Sequence, residues 1–310
     1  MDKTDTCICI DLGGTKLYSC LLGTNGVVIE EETVTNHGTS REDTLSLLFH
    51  AIDTLLLRAS DKNITPRGIA LGVPGITDPT SGTVLHAPSL LWNRFPLKDR
   101  LAEKYSLPII IENDVNCAAM GLWASFCPDL HSLSFISIGT GIGCGTVYEG
   151  KLHRGFYFAS GEIGCTLADV EDLHQSHPTF GSMESMASGT GMENQLRRHL
   201  AKPDAPAWNQ GKTARDILKA YDNGDALAKE IVDNTRDYLA MSILSVATTL
   251  NPQVIFLGGG VFNSADFLVP QLSALVQSKL HFALDLRLCK DSRYRTVLGA
   301  MQLLNNEINY

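Results

Sequence analysis

The sequence predicts an α/β fold divided into two closely packed lobes with a cleft between them. The chain has 310 residues, which is too many for one compact core when a domain holds roughly 100–200 residues. Apolar segments of strand length alternate along it with segments of helical periodicity, as in α/β proteins. Glycine-rich turns follow several predicted strands, and no linker rich in proline or serine separates the halves.

Composition excludes several classes of protein. Hydrophobic residues make up 44% and charged residues 19%, which is typical of a globular chain and not of a disordered, coiled-coil or collagen-like one. The net charge of −9 argues against a nucleic-acid partner, which would need a basic face. The longest apolar stretches fall short of the ~20 residues of a bilayer span. Residues 1–5 lack signal-peptide features, so we expect a cytoplasmic protein without a membrane partner.

The first part of the chain opens with three predicted antiparallel strands, a helix and a further strand. Asn25-Gly26 is a favoured hairpin turn between the second and third strands. A capping-box pattern, Thr39-Ser40-Arg41-Glu42, precedes apolar residues at helical spacing. The predicted strands are 7–11, 17–22, 27–34 and 66–73, and the predicted helix is 40–59.

The rest of the chain continues the α/β pattern. A strand followed by a Gly-Thr-containing turn and a second strand occurs near both Gly13 and Gly141, which suggests duplication of one α/β unit. We predict helices at 97–105, 115–124, 213–221, 225–249 and 296–305, and strands at 109–112, 133–138, 144–148, 254–257 and 284–289. Residues 155–191 are predicted to be rich in loops.

Three glycine turns at strand ends indicate a nucleotide site, because ligands of open α/β folds collect at the carboxyl ends of strands. Each turn by itself could be a simple hairpin or hinge. A Walker A loop is absent, and no helix directly follows the Gly-x-Gly near Gly141, which argues against a dinucleotide fold. Backbone amides of the first two turns would bind phosphates, the third would approach adenine or ribose, and Asp11 would hold a water or Mg²⁺. The candidate residues are Asp11, Gly13, Gly14, Thr15, Lys16, Gly139, Thr140, Gly141, Gly259 and Gly260.

Acidic residues near these turns are candidates for catalysis and for binding a hydroxylated ligand. Asp114 follows an apolar strand. It is a candidate helix N-cap and a candidate general base for phosphoryl transfer, and one Asp can serve in both roles. Glu162 and Glu184 lie in glycine-flanked loops. Each carboxylate could accept bonds from two sugar hydroxyls, and the alternative for either is a solvated loop residue.

In order and spacing, these motifs resemble the ROK family of repressors and sugar kinases, from Cys9 to about Leu303. The resemblance implies the two-lobed ribonuclease H-like fold of hexokinase and actin. It implies that Asp114 is the catalytic base and that the sugar contacts are Gly75, Ser89, Asn113, Glu162, Cys165 and Glu184. Ser89 stands where the family often has Asn, which leaves the identity of the sugar open.

The chain departs from the family at its structural zinc site. The family's Gly-Glu-x-Gly-His has Cys165 in place of the His, and the three following zinc cysteines are replaced by Gln175, His177 and Ser182. A closed zinc site needs four ligands, whereas only Cys165 and His177, with His174 nearby, could bind metal here. We therefore expect no structural zinc, and packing of Phe180 and Met183 would hold the loop instead.

The resemblance implies an ATP- and Mg²⁺-dependent kinase that phosphorylates the 6-hydroxyl of a hexose. The alternatives are a β-glucoside or fructose kinase, and a sugar-binding or sensing protein without catalysis. Glucose and N-acetylmannosamine also remain candidate sugars. Ten residues precede Asp11, so we expect no DNA-binding domain of the repressor type. We expect the protein to form a homodimer. Within each chain we expect one lobe at 1–117 plus 293–310 and the other at 118–292.

Overall fold

A computed structural model describes residues 5–37, 40–126, 130–175, 181–201, 208 and 212–308. The strands are β1 (Thr6–Leu12), β2 (Lys16–Gly23), β3 (Val28–Thr35), β4 (Ile69–Val73), β5 (Ile76–Asp78), β6 (Thr83–Ala87), β7 (Trp92–Phe95), β8 (Ile109–Asn113), β9 (Ser132–Ile138), β10 (Ile142–Tyr148), β11 (Lys151–Leu152), β12 (Val254–Gly258) and β13 (Asp285–Leu288). The helices are α1 (Arg41–Asp61), α2 (Leu97–Ala102), α3 (Asp114–Phe126), α4 (Glu184–Ala187), α5 (Gly189–Leu200), α6 (Ala214–Asp222), α7 (Ala226–Thr249), α8 (Leu268–Gln277) and α9 (Ser292–Ile308).

The chain forms two compact units, each built from separate stretches of sequence. The first comprises Met1–His131, Gly145–Ser160 and Asp291–Tyr310, and the second comprises Ser132–Cys144 and Gly161–Lys290. The sequence-based division at residue 117 differs from this, because it would cut through α3 and would place 118–131 and 145–160 in the second lobe.

Close packing of α3 against α9 keeps the whole of α3 in the first unit. A Cβ added at Gly299 would lie 1.8 Å from the Cys117 carbonyl oxygen, and one added at Gly121 would lie 2.0 Å from the Arg295 carbonyl oxygen. The two helix backbones therefore touch where glycine leaves room.

The first unit is organised by a five-stranded sheet with strand order β3-β2-β1-β4-β8. β1 pairs antiparallel with β2 and parallel with β4, and β4 pairs parallel with β8. Successive side chains of a strand face opposite sides. Ile8 and Ile10 accordingly join one core with α1 and α2, whereas Cys7 and Cys9 join another with α3 and α9. A smaller antiparallel sheet, β5-β6-β7, belongs to the same unit.

The second unit has a mainly parallel sheet and its own helical core. β12 pairs parallel with β9 on one side and with β13 on the other, and the start of β10 neighbours β9. Apolar residues of α5, α6, α7 and α8 pack on this sheet in one buried cluster. Among the described residues, no helix combines the length and the apolar character that a bilayer crossing would require.

Candidate active site

The first predicted phosphate turn is held by hydrogen bonds within the first unit. The Gly13 N–H donates to the Lys16 carbonyl at 2.7 Å. The Asn36 side-chain amide donates to the Gly13 carbonyl at 3.1 Å, and its backbone N–H donates to the Thr15 carbonyl at 2.8 Å. Thr15 and Lys16 themselves are exposed. Asn36 is a turn-supporting residue that sequence analysis missed.

Ser89, a predicted sugar contact, lies against this turn. A Cβ added at Gly14 would lie 3.0 Å from the Ser89 Cβ. Ser89 is exposed in the short 3₁₀ helix Pro88–Leu90. The first unit therefore brings a predicted phosphate-binding residue and a predicted sugar-binding residue into contact.

Asp11 is the half-buried residue before the last residue of β1, and it lies two positions before Gly13 of the same turn. Burial raises the pKa of its carboxyl to about 6, and the opposing effect of the Arg293 charge limits that rise. The Arg293 guanidinium lies over the Tyr18 ring, 5.5 Å from its centroid. In the sheet register Asp11 aligns with Gly72, and Gly72 aligns with Glu112, so all three face α3 and α9.

Asp114 is the first residue of α3, and Asn113 caps the helix. The Asn113 Oδ1 accepts from the Asn116 N–H at 2.9 Å, which is the bond of an N-cap side chain. The Asp114 carboxylate accepts from the Val115 N–H at 2.9 Å. Since Asn113 performs the capping, the alternative that Asp114 serves as the N-cap is wrong.

Gly72 and Gly75 allow the chain to approach Asp114 and Asn113. A Cβ at Gly72 would lie 3.3 Å from the Asp114 Cα. Gly75 has φ +87°, and a Cβ there would lie 2.1 Å from the His86 carbonyl oxygen. The Asn113 side-chain amide donates to the Gly75 carbonyl at 2.9 Å. The predicted sugar contacts Gly75 and Asn113 are therefore joined directly.

A buried ion pair lies next to these residues and was not predicted. Glu112 is 1% exposed, and its Oε2 accepts from the Arg154 Nε at 2.6 Å. Its Oε1 accepts from the Asn113 N–H at 2.9 Å and from the Asn116 Nδ2 at 3.0 Å. The sequence signal for this ion pair was the position of Glu112 in an apolar strand, because a buried carboxylate must find a partner.

In the second unit, the second glycine turn meets the triglycine segment and the start of α5. The Gly139 N–H donates to the Gly141 carbonyl at 2.9 Å, and the Gly189 N–H donates to the Gly139 carbonyl at 2.8 Å. Gly259 has φ +92°, and a Cβ there would lie 2.5 Å from the Ile138 carbonyl oxygen. A Cβ at Gly260 would meet no atom within 4 Å. The predicted phosphate and adenosine segments thus adjoin one another, together with an α5 N-terminus that sequence analysis missed.

Glu162 and Glu184 are neighbouring carboxylates in the same unit. Glu184 Oε2 accepts from the Ile142 N–H at 2.8 Å, and burial raises the pKa of this carboxyl. Burial also raises the pKa of Glu162, and the nearby Glu184 charge raises it further. Two half-buried carboxylates that share a site are suited to accept hydrogen bonds from hydroxyl groups.

Hydrogen bonds hold the segment where the family binds zinc. Ser182 is buried. Its hydroxyl accepts from the Ala168 N–H at 2.9 Å and bonds to the Asp172 carboxylate. Met183 is buried and its N–H donates to the Thr166 carbonyl at 3.0 Å.

The candidate metal donors that the structure describes at this segment are Cys165 and His174. The residues Cys165, His174 and Gln175 are exposed. Partial burial of the Cys165 thiol, together with the Glu162 and Glu184 charges, raises the Cys165 pKa, which disfavours the thiolate that zinc requires. The described residues contain no group of three or more His, Cys, Asp or Glu arranged to hold a metal. His177 and Phe180 lie outside the described residues.

A family model described as "ROK family" matches residues 7–307. The chain belongs to the ROK family. It is 32% identical over 276 residues to a glucokinase of Halalkalibacterium halodurans, covering 84% of this chain and 82% of that protein. It is 26% identical over 311 residues to a xylose repressor of Caldicellulosiruptor bescii, covering 96% of this chain and 78% of the repressor. The relatives of this ROK protein thus include both a sugar kinase and a regulator.

Comparison with solved structures confirms the predicted two-domain fold of the hexokinase and actin type. A ROK glucokinase from Streptomyces griseus, solved with glucose and AMPPNP, superposes with a TM-score of 0.81. The two chains are 22% identical, and the match covers 97% of this chain and 99% of the other.

Proposed function

We propose that this ROK protein is an ATP-dependent hexose kinase that transfers the γ-phosphoryl group to the 6-hydroxyl of its sugar. The observation that carries the proposal is the placement of Asp114 at the first turn of α3. Its Cα lies against Gly72, and the preceding Asn113 is tied to Gly75. A half-buried carboxylate is thus held beside two residues suited to approach a sugar.

Asp114 accepts the proton of the 6-hydroxyl as the oxygen attacks the γ-phosphorus, and the bond from that phosphorus to the β–γ bridging oxygen breaks to release ADP. Phosphoryl transfer requires positioning, charge neutralisation and such a base, with little other covalent chemistry.

Glycine-turn amides bind the phosphates in this proposal. Gly13, Gly14, Thr15 and Lys16 supply amides, a hydroxyl and a cation in the first unit. Gly139, Thr140 and Gly141 supply the second turn, and Gly259 and Gly260 adjoin it on the adenosine side. Because backbone amides bind anions without a basic surface, the net charge of −9 is no obstacle.

Asp11 suits Mg²⁺, which prefers carboxylate oxygens, because it lies in β1 two positions before Gly13 of the first turn. When bound, Mg²⁺ neutralises charge on the phosphates. Asp11 itself remains a ligand in this proposal and takes no proton from the sugar.

Carboxylate and amide side chains bind the sugar hydroxyls in this proposal. Glu162 and Glu184 accept from ring hydroxyls, and Asn113 orients the sugar. Gly75, Ser89 and Cys165 complete the proposed sugar contacts.

A panel of hexoses in a coupled assay for ADP release tests the proposal. Glucose, fructose, N-acetylmannosamine and β-glucosides are compared, and turnover of at least one is expected. The xylose-repressor relative favours a second candidate, a sugar sensor without catalysis. Thermal stabilisation by a sugar with no ADP released from any of them would support the sensor and contradict the kinase.

A further inference from the structure

Glu112 is the centre of a buried polar network around the start of α3. Its side chain is 2% exposed, and Oε2 accepts from the Arg154 Nε at 2.6 Å. Oε1 accepts from the Asn113 N–H at 2.9 Å and from the Asn116 Nδ2 at 3.0 Å. Asn113 and Asn116 lie on either side of Asp114 in the chain, so one carboxylate holds the backbone before Asp114 and a side chain after it.

The network extends to two further segments of the first unit. The Asn113 side-chain amide donates to the Gly75 carbonyl at 2.9 Å. The Arg154 carbonyl accepts from the Ser160 N–H at 3.1 Å, which closes the loop 154–160 on itself. Arg154 and Glu112 thereby connect this loop, the start of α3 and the turn at Gly75.

The charges around the buried thiol of Cys117 show that Arg154 offsets negative charge from nearby carboxylates. Burial raises the pKa of Cys117, and the charges of Glu112, Asp114 and Asp11 raise it further, whereas the charge of Arg154 lowers it. Three carboxylates therefore act on one buried position of α3. Arg154 is the cation that acts on the same position.

We propose that Arg154 is a positioning residue of the kinase reaction, which through Glu112 holds Asn113 and Asp114 in the orientation that binds the sugar and receives its proton. This inference rests on the proposed function. Arg154 bonds to Glu112 and acts through it. The guanidinium suits the role because it stays charged and its donors are held in a rigid plane.

An exposed ion pair of the same unit provides a matched control. Arg100 Nη2 lies 3.2 Å from Glu42 Oε2, and the two side chains are 34% and 63% exposed. Such surface pairs contribute little. Arg100→Met therefore removes an Arg–Glu pair without touching the network.

The experiment compares Arg154→Met, Arg154→Lys and Arg100→Met with the wild-type protein, in steady-state kinetics well below the unfolding temperature. For Arg154→Met we expect kcat to fall about 10- to 100-fold, the effect of misplacing reacting groups by about 1 Å, with the KM for ATP changed less than about twofold. The acid limb of the kcat profile should move to higher pH, because the uncompensated Glu112 charge disfavours ionised Asp114. Arg154→Lys should recover part of kcat, and Arg100→Met should match the wild type.

Wild-type kcat and an unmoved acid limb in Arg154→Met, with only a loss of stability, would overturn the proposal. If Arg154→Met does not fold, Glu112→Gln replaces it, since it removes the charge at nearly constant shape. It should show the same loss of kcat, without the shift of the acid limb to higher pH. If the wild type phosphorylates no sugar, the proposed function fails, and amide exchange then tests the network. Faster amide exchange at residues 113–116 in Arg154→Met than in Arg100→Met supports the positioning role of Arg154, and equal exchange overturns that role.

Discussion

Glu184 accepts a hydrogen bond from the backbone N–H of Ile142 at 2.8 Å. The same carboxylate oxygen would lie 2.3 Å from a Cβ added at Gly141. A residue proposed to bind sugar is thus fixed by the turn proposed to bind phosphate, within one unit. This contact explains why a glycine is needed at 141.

Gly141→Ala should displace the Glu184 carboxylate and weaken sugar binding. Loss of a hydrogen bond to a charged group costs about 1.5 kcal/mol or more, so we expect the KM for sugar to rise by about tenfold. Steady-state kinetics with the preferred sugar measure the change.

A double-mutant cycle with Glu184→Ala separates this clash from a general effect on the turn. If the two residues act through one contact, adding Gly141→Ala to Glu184→Ala changes the KM for sugar no further. Fully additive effects on that KM would contradict the explanation.

Asp11→Asn should change the pH dependence of stability. The folded protein raises the Asp11 pKa from 3.8 to about 6, so the folded state binds this proton more tightly than the unfolded chain. The contribution of Asp11 to the free energy of unfolding of the wild-type protein therefore falls as pH rises from about 4 to about 6. Above that window Asp11→Asn should be more stable than wild type by about 3 kcal/mol, since each unit of the rise in pKa corresponds to about 1.4 kcal/mol.

Urea unfolding between pH 4.5 and 7.5 measures the Asp11 effect, and Arg293→Met provides a second check. Because the Arg293 charge lowers the Asp11 pKa, its removal should extend the fall in stability to higher pH. Stability curves of wild type and Asp11→Asn that stay parallel throughout would show that burial does not shift this carboxyl.

Ser182→Ala should destabilise the second unit by about 1–3 kcal/mol, the cost of leaving a buried donor or acceptor unsatisfied. It removes the acceptor of the Ala168 N–H and the partner of Asp172. Chemical unfolding measures the loss, and Ser278→Ala, at an exposed hydroxyl bonded to the Leu275 carbonyl, should cost much less. A chelator should leave the wild-type midpoint unchanged, whereas a large drop with zinc released would refute a loop held by hydrogen bonds.

Much of the fold could be predicted from local sequence signals. Apolar runs predicted β1, β8 and β12, and helical periodicity predicted α1 and α7, within about two residues, whereas the strand predicted at 66–73 begins three residues before β4. The N-cap of α1 is Ser40, which accepts from the Asp43 N–H at 3.2 Å, whereas the predicted capping box begins at Thr39, which lies outside the described residues. The glycine turns were located because glycine at a strand end is visible in the sequence itself.

Other elements were missed because their local signals conflict with their structure. β5, β6 and β7 are 3, 5 and 4 residues long, too short for alternation to be recognised. α5 begins at Gly189 and contains Gly191, a residue of low helix propensity. Pro270 lies in the first turn of α8. Proline is tolerated at that position, but in a sequence it indicates a helix break. Predicted helix 97–105 ends at Ala102.

The candidate site was predicted residue by residue but not as an arrangement. Alignment of Asp11, Gly72 and Glu112 depends on the register of a parallel sheet, which no local pattern specifies. Arg154 lies 42 positions from Glu112, so their pairing could not be seen in the sequence. Asn113 took the capping role because its amide oxygen reaches the Asn116 N–H.

Turnover of Asp114→Asn tests the central claim most directly. Asparagine keeps the size and the acceptor that bonds the Val115 N–H, but it cannot take a proton at neutral pH. With the preferred sugar we expect kcat for ADP release to fall by about 10²- to 10⁴-fold, the usual contribution of a general base, while sugar binding by calorimetry stays within about threefold. Equal kcat in Asp114→Asn and wild type would contradict the assignment of Asp114 as the base.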